Sequence, residues 1–216
     1  IQQGTPAHHI QVVEPFEEAR TRLRSQFGVA LFDAPSAALA QADLVVWAVK
    51  PQVFKEAAAP VAPHTREALH LSVAAGIRSD SIAAWLGTQR IVRAMPNTPA
   101  LVGQGMTGLF ARDAVTGEDR AAVEGVIAPT GEHLWVQAET QLDAVTALSG
   151  SGPAYVFLFL EAMIEAGTRM GLPADQAKRL AIGTFAGAAT LARESSEPPS
   201  VLRERVTSKG GTTYAA

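Results

Sequence analysis

The chain has 216 residues, 47% hydrophobic and 18% charged, which is the balance of an ordinary globular protein with material for one or two domains. A formal net charge of −3 supplies no basic field for nucleic acid, and the absence of cysteine excludes disulfides and thiolate metal sites. The same absence fits a reducing compartment, so a cytoplasmic location is expected.

The most apolar run, Ala154–Leu160, is too short to span a bilayer and is followed by Glu161 and Glu165, so no membrane partner is expected. Ile1–Pro6 (Ile-Gln-Gln-Gly-Thr-Pro) reads as the end of a helix running into a loop, and a preceding segment is expected.

In chain order, His9–Glu14 predicts a strand, on which His8 and His9 would point to opposite faces and could not share one ion. Pro15–Gln26 predicts a charged helix with proline at its first position. A short strand at Gly28–Phe32 and a short helix at Ser36–Gln41 follow. Leu44–Val49 is apolar at every position, as suits a strand buried on both faces of a parallel sheet. Leu69–Ala74 and Ile91–Ala94 continue in that style around a helix at Ser79–Leu86, and Gly105–Phe110 and Leu134–Val136 are later strands flanking a helix at Gly117–Ile127. Strands alternating with helices imply right-handed βαβ units and a doubly wound, mostly parallel α/β sheet over residues 1–138.

From 139 to 216 the pattern is helical: Tyr155–Met170, Pro173–Arg193 and Val201–Val206, with Gly171-Leu172-Pro173 as a stop and restart. Small residues along the second of these helices (Ala181, Gly183, Ala186, Gly187) admit another helix closely. An all-α domain packing against another copy of itself is expected.

Five stretches carry the chemical interest. Trp47-Ala48-Val49-Lys50-Pro51 and Leu71-Ser72-Val73-Ala74-Ala75-Gly76 end strands in small residues. In doubly wound sheets ligands lie beyond such strand ends, although a capped buried strand or a tight turn reads the same way. Arg93-Ala94-Met95-Pro96-Asn97-Thr98-Pro99 is a stiff loop on the same edge. Leu148-Ser149-Gly150-Ser151-Gly152-Pro153 interrupts a helical region and is either a linker or a needed kink. Val206-Thr207-Ser208-Lys209-Gly210-Gly211-Thr212-Thr213 lies between two helices. Its glycines and hydroxyls suit a main-chain nest for a carboxylate or phosphate, with Arg203, Arg205 and Lys209 adding positive potential.

In that order, these five stretches resemble pyrroline-5-carboxylate reductase, over essentially the whole of Ile10–Ala216. The resemblance implies a Rossmann-like dinucleotide-binding domain followed by an all-α dimerisation and substrate domain. It further implies reduction of 1-pyrroline-5-carboxylate to proline by hydride transfer from NADPH or NADH. Ala48, Val49, Lys50 and Pro51 would contact the cofactor, with Val73, Ala74 and Ala75 as the second wall of the pocket, and Asn97, Thr98 and Glu139 nearby. Ser208, Gly211, Thr212 and Thr213 would receive the substrate carboxylate, with the Thr213 hydroxyl near the ring nitrogen. A homodimer, in many members extended to a ring of dimers, is implied as well. No metal is expected.

The glycine-rich turn that seats the pyrophosphate is absent from the sequence, and in the family it precedes the region where this chain starts; the first strand and the end of the last helix are expected to lie outside it. Glu14, ending the second strand of such a fold, favours a ribose 2′-hydroxyl and hence some tolerance for NADH. Two other readings remain open. One is a related imine or β-hydroxyacid-type dehydrogenase, for which Lys178 is the only lysine between residues 140 and 200 to serve as acid. The other is a dimerising scaffold without turnover.

Overall fold

A computed structural model describes residues 5–215. After a 3-10 turn at Ala7–His9 come strand β1 (Gln11–Val13), helix α1 (Glu17–Phe27) and strand β2 (Ala30–Phe32). His8 and His9 thus sit in a turn and not on a strand, their rings edge to face at 4.3 Å. Pro15 precedes α1 rather than opening it, because Phe16 is the capping residue. β1 and β2 pair in parallel as a two-stranded sheet of their own.

The main sheet has the order β3 (Leu44–Trp47), β4 (Leu69–Ser72), β5 (Ile91–Met95), β6 (Gly105–Ala111), β7 (Gly131–Trp135). The first three run parallel, β6 is antiparallel to β5, and β7 is parallel to β6. Connections are made by α2 (Phe54–Val61), α3 (Ser79–Leu86) and α4 (Gly117–Ile127). β3 was expected to be buried on both faces. It is an edge strand in this sheet, and Val46 remains 47% exposed.

Two apolar clusters hold the sheet. On one side Phe54, Ala58, Ile82, Leu86 and Ile91 pack under α2 and α3, and on the other Leu71, Val92, Leu109, Val123 and Ile127 pack under α4. Each such large side chain contributes roughly 1.5–3 kcal/mol by leaving water. α4 starts where Thr116 and Asp119 satisfy each other's backbone N–H, at 3.1 and 3.0 Å, and Arg90 pairs with Asp119 at 2.6 Å.

The chain then becomes helical through α5 (Gln141–Val145), a π turn at Thr146–Gly150, α6 (Gly152–Arg169), α7 (Ala174–Glu194), α8 (Pro199–Arg205) and α9 (Thr212–Ala215). Two compact units divide at Pro153/Ala154, whereas the sequence pattern put the change at 138/139. The segment between belongs to the first unit because α5 packs on β6 and buries Leu142. Within the second unit α6 and α7 form a hairpin that buries Ala177 and Ala181 and sets Phe159 against Phe185 at 6.1 Å. The helical run Gln141–Arg169 is long and apolar enough, by length and composition alone, to cross a bilayer, although its most apolar stretch, Ala154–Leu160, is much shorter.

Two buried polar groups generate predictions. His70 on β4 is fully buried, accepts the Trp47 indole N–H on Nδ1 at 2.9 Å and donates from Nε2 to the Thr65 carbonyl at 2.9 Å. Burial lowers its pKa from 6.5, and the bond to Thr65 offsets this only in part. The unfolded chain therefore binds that proton more readily. Stability is complete above pH 6.5 and falls as the pH drops below it, with a slope of at most about 1.4 kcal/mol per pH unit. Urea unfolding at pH 7.5, 6.5 and 5.5 measures the slope, and His70→Gln should flatten it whatever its own stability. Thr107 on β6 presents a buried hydroxyl without a partner, the only such side-chain atom among the described residues. Thr107→Val is expected to stabilise the fold by about 1 kcal/mol, raising Tm by roughly 2–4 °C in a thermal melt. A lowered Tm would contradict that account of the hydroxyl.

Candidate active site

The register of the three parallel strands makes one ledge. Trp47 lies opposite Ser72, and Ser72 opposite Arg93, so β3 and β4 leave the sheet side by side at its carboxyl edge while β5 runs two residues further, to Met95. Ala48-Val49-Lys50-Pro51 and Val73-Ala74-Ala75 thereby become neighbours, as their sequence order alone could not establish, and Pro96-Asn97 follows β5 at the same edge of the sheet. The Val73 N–H donates to the Trp47 carbonyl at 3.2 Å and carries the ladder one step further. Ala74 is buried and ties its N–H to the Ser72 hydroxyl at 3.3 Å, while Ala48, Lys50 and Ala75 are exposed. Pro51 opens a 3-10 turn that leads the chain into α2. Positions 48, 49 and 73–75 carry nothing larger than valine, so a flat ring can lie against the backbone there. These residues fit a dinucleotide cofactor.

Glu14 follows β1 and lies outside this ledge's hydrogen-bonded ladder. Its carboxylate accepts the Phe16 N–H at 2.9 Å, and its carbonyl accepts Arg20 at 2.6 Å, so it anchors the start of α1.

Glu139 lies just past β7 and is committed to the protein itself. Its Oε1 accepts Arg93 Nη1 at 2.6 Å and the Ser79 backbone N–H at 2.6 Å, and its Oε2 accepts the Ser79 hydroxyl at 2.8 Å. Ser79 also accepts Arg112 Nη1 at 3.0 Å, and Arg112 pairs with Asp80. Burial alone would raise the Glu139 pKa. The Ser79 N–H, the Arg93 guanidinium and the Ser79 hydroxyl together outweigh it and hold the carboxyl below its ordinary value. This clamp seats the first turn of α3 and so fixes the end of the turn that begins at Ala74. Arg93 and Ser79 were not singled out as partners of Glu139 from sequence. The available signal was a cation inside an otherwise apolar strand, since a buried arginine requires an anion.

In the second unit, Ser208–Thr213 joins α8 to α9. Gly210 adopts φ +80°, and the Gly211 N–H turns back to the Ser208 carbonyl at 2.9 Å. One of the amides expected in the nest is thus used by the loop. The N–H groups of Thr212 and Thr213 open α9 and have no helical acceptor. The hydroxyl-bearing residues Ser208, Thr212 and Thr213 are exposed, and Arg205 is drawn off to Glu197 at 2.6 Å.

Comparison with known proteins agrees with this geometry. Residues 139–216 match the family model for pyrroline-5-carboxylate reductase dimerisation, and residues 1–76 match that for coenzyme F420-dependent NADP oxidoreductase. The pyrroline-5-carboxylate reductase of Pseudomonas aeruginosa is 44% identical over 216 residues, covering 99% of this chain and 79% of the relative. That of Haemophilus influenzae is 42% identical, covering 100% of this chain and 80% of the relative. Among solved structures, the reductase of Coxiella burnetii superposes with a TM-score of 0.90 at 37% identity, over 99% of this chain and 80% of that one. The Plasmodium falciparum pyrroline carboxylate reductase, solved with NADP bound, gives 0.81 at 29% identity over 88% of this chain and 72% of that one. The chain belongs to the pyrroline-5-carboxylate reductase family.

Proposed function

We propose that the chain reduces 1-pyrroline-5-carboxylate to proline with NADPH or NADH. The observation that carries this reading is the ledge of small residues formed where two neighbouring parallel strands, β3 and β4, end in register beside β5. Bound there, the reduced nicotinamide supplies the hydride. Ala48, Val49, Lys50 and Pro51 form one wall, and Val73, Ala74 and Ala75 the other. Glu139 serves by clamping Ser79 and so holding the second wall in place. Glu14 limits the charge tolerated near the adenosine ribose and permits NADH.

The Ser208–Thr213 loop takes the substrate carboxylate on the Thr212 and Thr213 N–H groups and the Ser208 hydroxyl. The Thr213 hydroxyl holds the ring nitrogen and thereby orients the imine carbon. Orientation alone can supply roughly 7–11 kcal/mol of barrier reduction. A protonated imine already accepts hydride well, so the loop works without His, Asp or Glu.

The helical unit forms a homodimer, extended to a ring of dimers. Support comes from the apolar surface that α6 leaves uncovered, Phe157, Leu158 and Phe159 being 55%, 65% and 62% exposed. A second copy, and not lipid, covers this face. A cytoplasmic enzyme without nucleic-acid or membrane partners agrees with the net charge and the lack of cysteine.

Loss of reduced-cofactor absorbance on adding the imine tests the activity. Thr213→Ala and Ser208→Ala should each lower kcat/KM for the imine by about 10²-fold or more, leaving the KM for cofactor within about twofold. Turnover with a keto acid but not the imine would overturn the reading, as would variants as fast as the parent. Light scattering should give at least twice the 22.7 kDa chain mass, and Phe157→Glu should halve the mass. A monomeric parent refutes the dimer.

A further inference from the structure

Two motifs far apart in sequence, Met95-Pro96-Asn97 and Ser149-Gly150-Ser151, are closed into a ring of hydrogen bonds. Asn97 Nδ2 donates to the Ser149 carbonyl and to its hydroxyl, both at 3.2 Å. The Ser149 hydroxyl donates in turn to the Met106 carbonyl at 3.2 Å, and the Met106 N–H returns to Asn97 Oδ1 at 2.9 Å.

The need for this ring follows from the helix. An α-helical Ser149 carbonyl would accept the N–H of residue 153, but residue 153 is proline and has none. The turn resolves this locally by widening to a π turn, with the Ser151 N–H reaching back to the Thr146 carbonyl at 2.8 Å. The Pro153 nitrogen still has no proton to offer the Ser149 carbonyl. A half-buried acceptor of that kind calls for a partner from elsewhere, and Asn97 provides it. Gly150 permits the approach, since a Cβ there would fall 2.6 Å from the Met95 methyl.

We propose that Asn97 is a positioning residue that splints the loop after β5 to the π turn, instead of touching cofactor or substrate. The Nδ2 group and one Oδ1 lone pair are already engaged within the protein. What the splint fixes is the Met95–Asn97 backbone, the third part of the carboxyl-edge ledge. The kinetic consequence rests on the proposed function, whereas the splint itself does not.

The test uses Asn97→Ala, Asn97→Asp and Ser149→Ala in the full chain, with amide exchange and steady-state kinetics side by side. Exchange at Met106 and Ser151 should accelerate about tenfold or more in Asn97→Ala. In Asn97→Asp only Ser151 should accelerate, because one carboxylate oxygen still accepts the Met106 N–H while the other opposes the Ser149 carbonyl. Asn97→Ala should lower kcat about tenfold with the cofactor KM within about twofold. Ser149→Ala should cost less, since its carbonyl remains, and the double variant should cost no more than Asn97→Ala alone. Unchanged exchange at both amides, an unchanged kcat, or a raised cofactor KM at preserved kcat would each overturn the proposal. Should Asn97→Ala fail to fold, the other two variants carry both readouts. A parent without imine reductase activity would sink the proposed function, and exchange alone would then decide the splint.

Discussion

The structure depends on the lateral register of β3, β4 and β5. Backbone hydrogen bonds align Trp47, Ser72 and Arg93 across the sheet, and this alignment turns three separate loops into one surface. A slip of one residue in a strand would send its side chains to the opposite face. Register is protected by what each face buries: Ile91 packs under α2 and α3, while Leu71 and Val92 pack under α4. The packing of the core and the placement of the ledge are therefore a single constraint, because the same alternation that buries these residues fixes where their strands end.

Charge is used sparingly inside this frame, and for holding positions. Arg93 and Glu139 are both largely withdrawn from water, where removing one partner of such a pair typically costs about 3–5 kcal/mol. The geometry explains why the cost is accepted: a carboxylate with two oxygens can grip a guanidinium, a helix N–H and a hydroxyl at once, which an apolar contact could not do. It thereby joins β5, the start of α3 and the segment after β7, three pieces far apart in sequence.

Much of this was legible in the sequence, for identifiable reasons. Ser79–Leu86 and Gly117–Ile127 were read to the residue because their caps and periodicity agree with their packing. The mostly parallel order followed from the βα alternation, and the family from five motifs in order, whereas β3 and β4 end two residues earlier than their apolar runs suggested, at Trp47 and Ser72. β3 misled because an unbroken apolar run speaks for burial on both faces without revealing whether a neighbour is present to provide it. The π turn was invisible for another reason: a serine-glycine run is equally compatible with a linker, and only the proline at 153, read together with an asparagine fifty-six positions upstream, distinguishes the two. Contacts such as Arg93–Glu139 depend on which loops the topology brings together, and no local pattern encodes them.

The π turn has an angular consequence. Each residue advances an α-helix by about 100°, and an i→i+5 step inserts one residue that a regular helix would not contain. The insertion breaks the regular helical phase at Thr146–Gly150, so the residues before and after that turn do not follow one α-helical register. Removing one residue there would restore the α-helical phase, in which the Pro153 ring clashes with the carbonyl four residues before it.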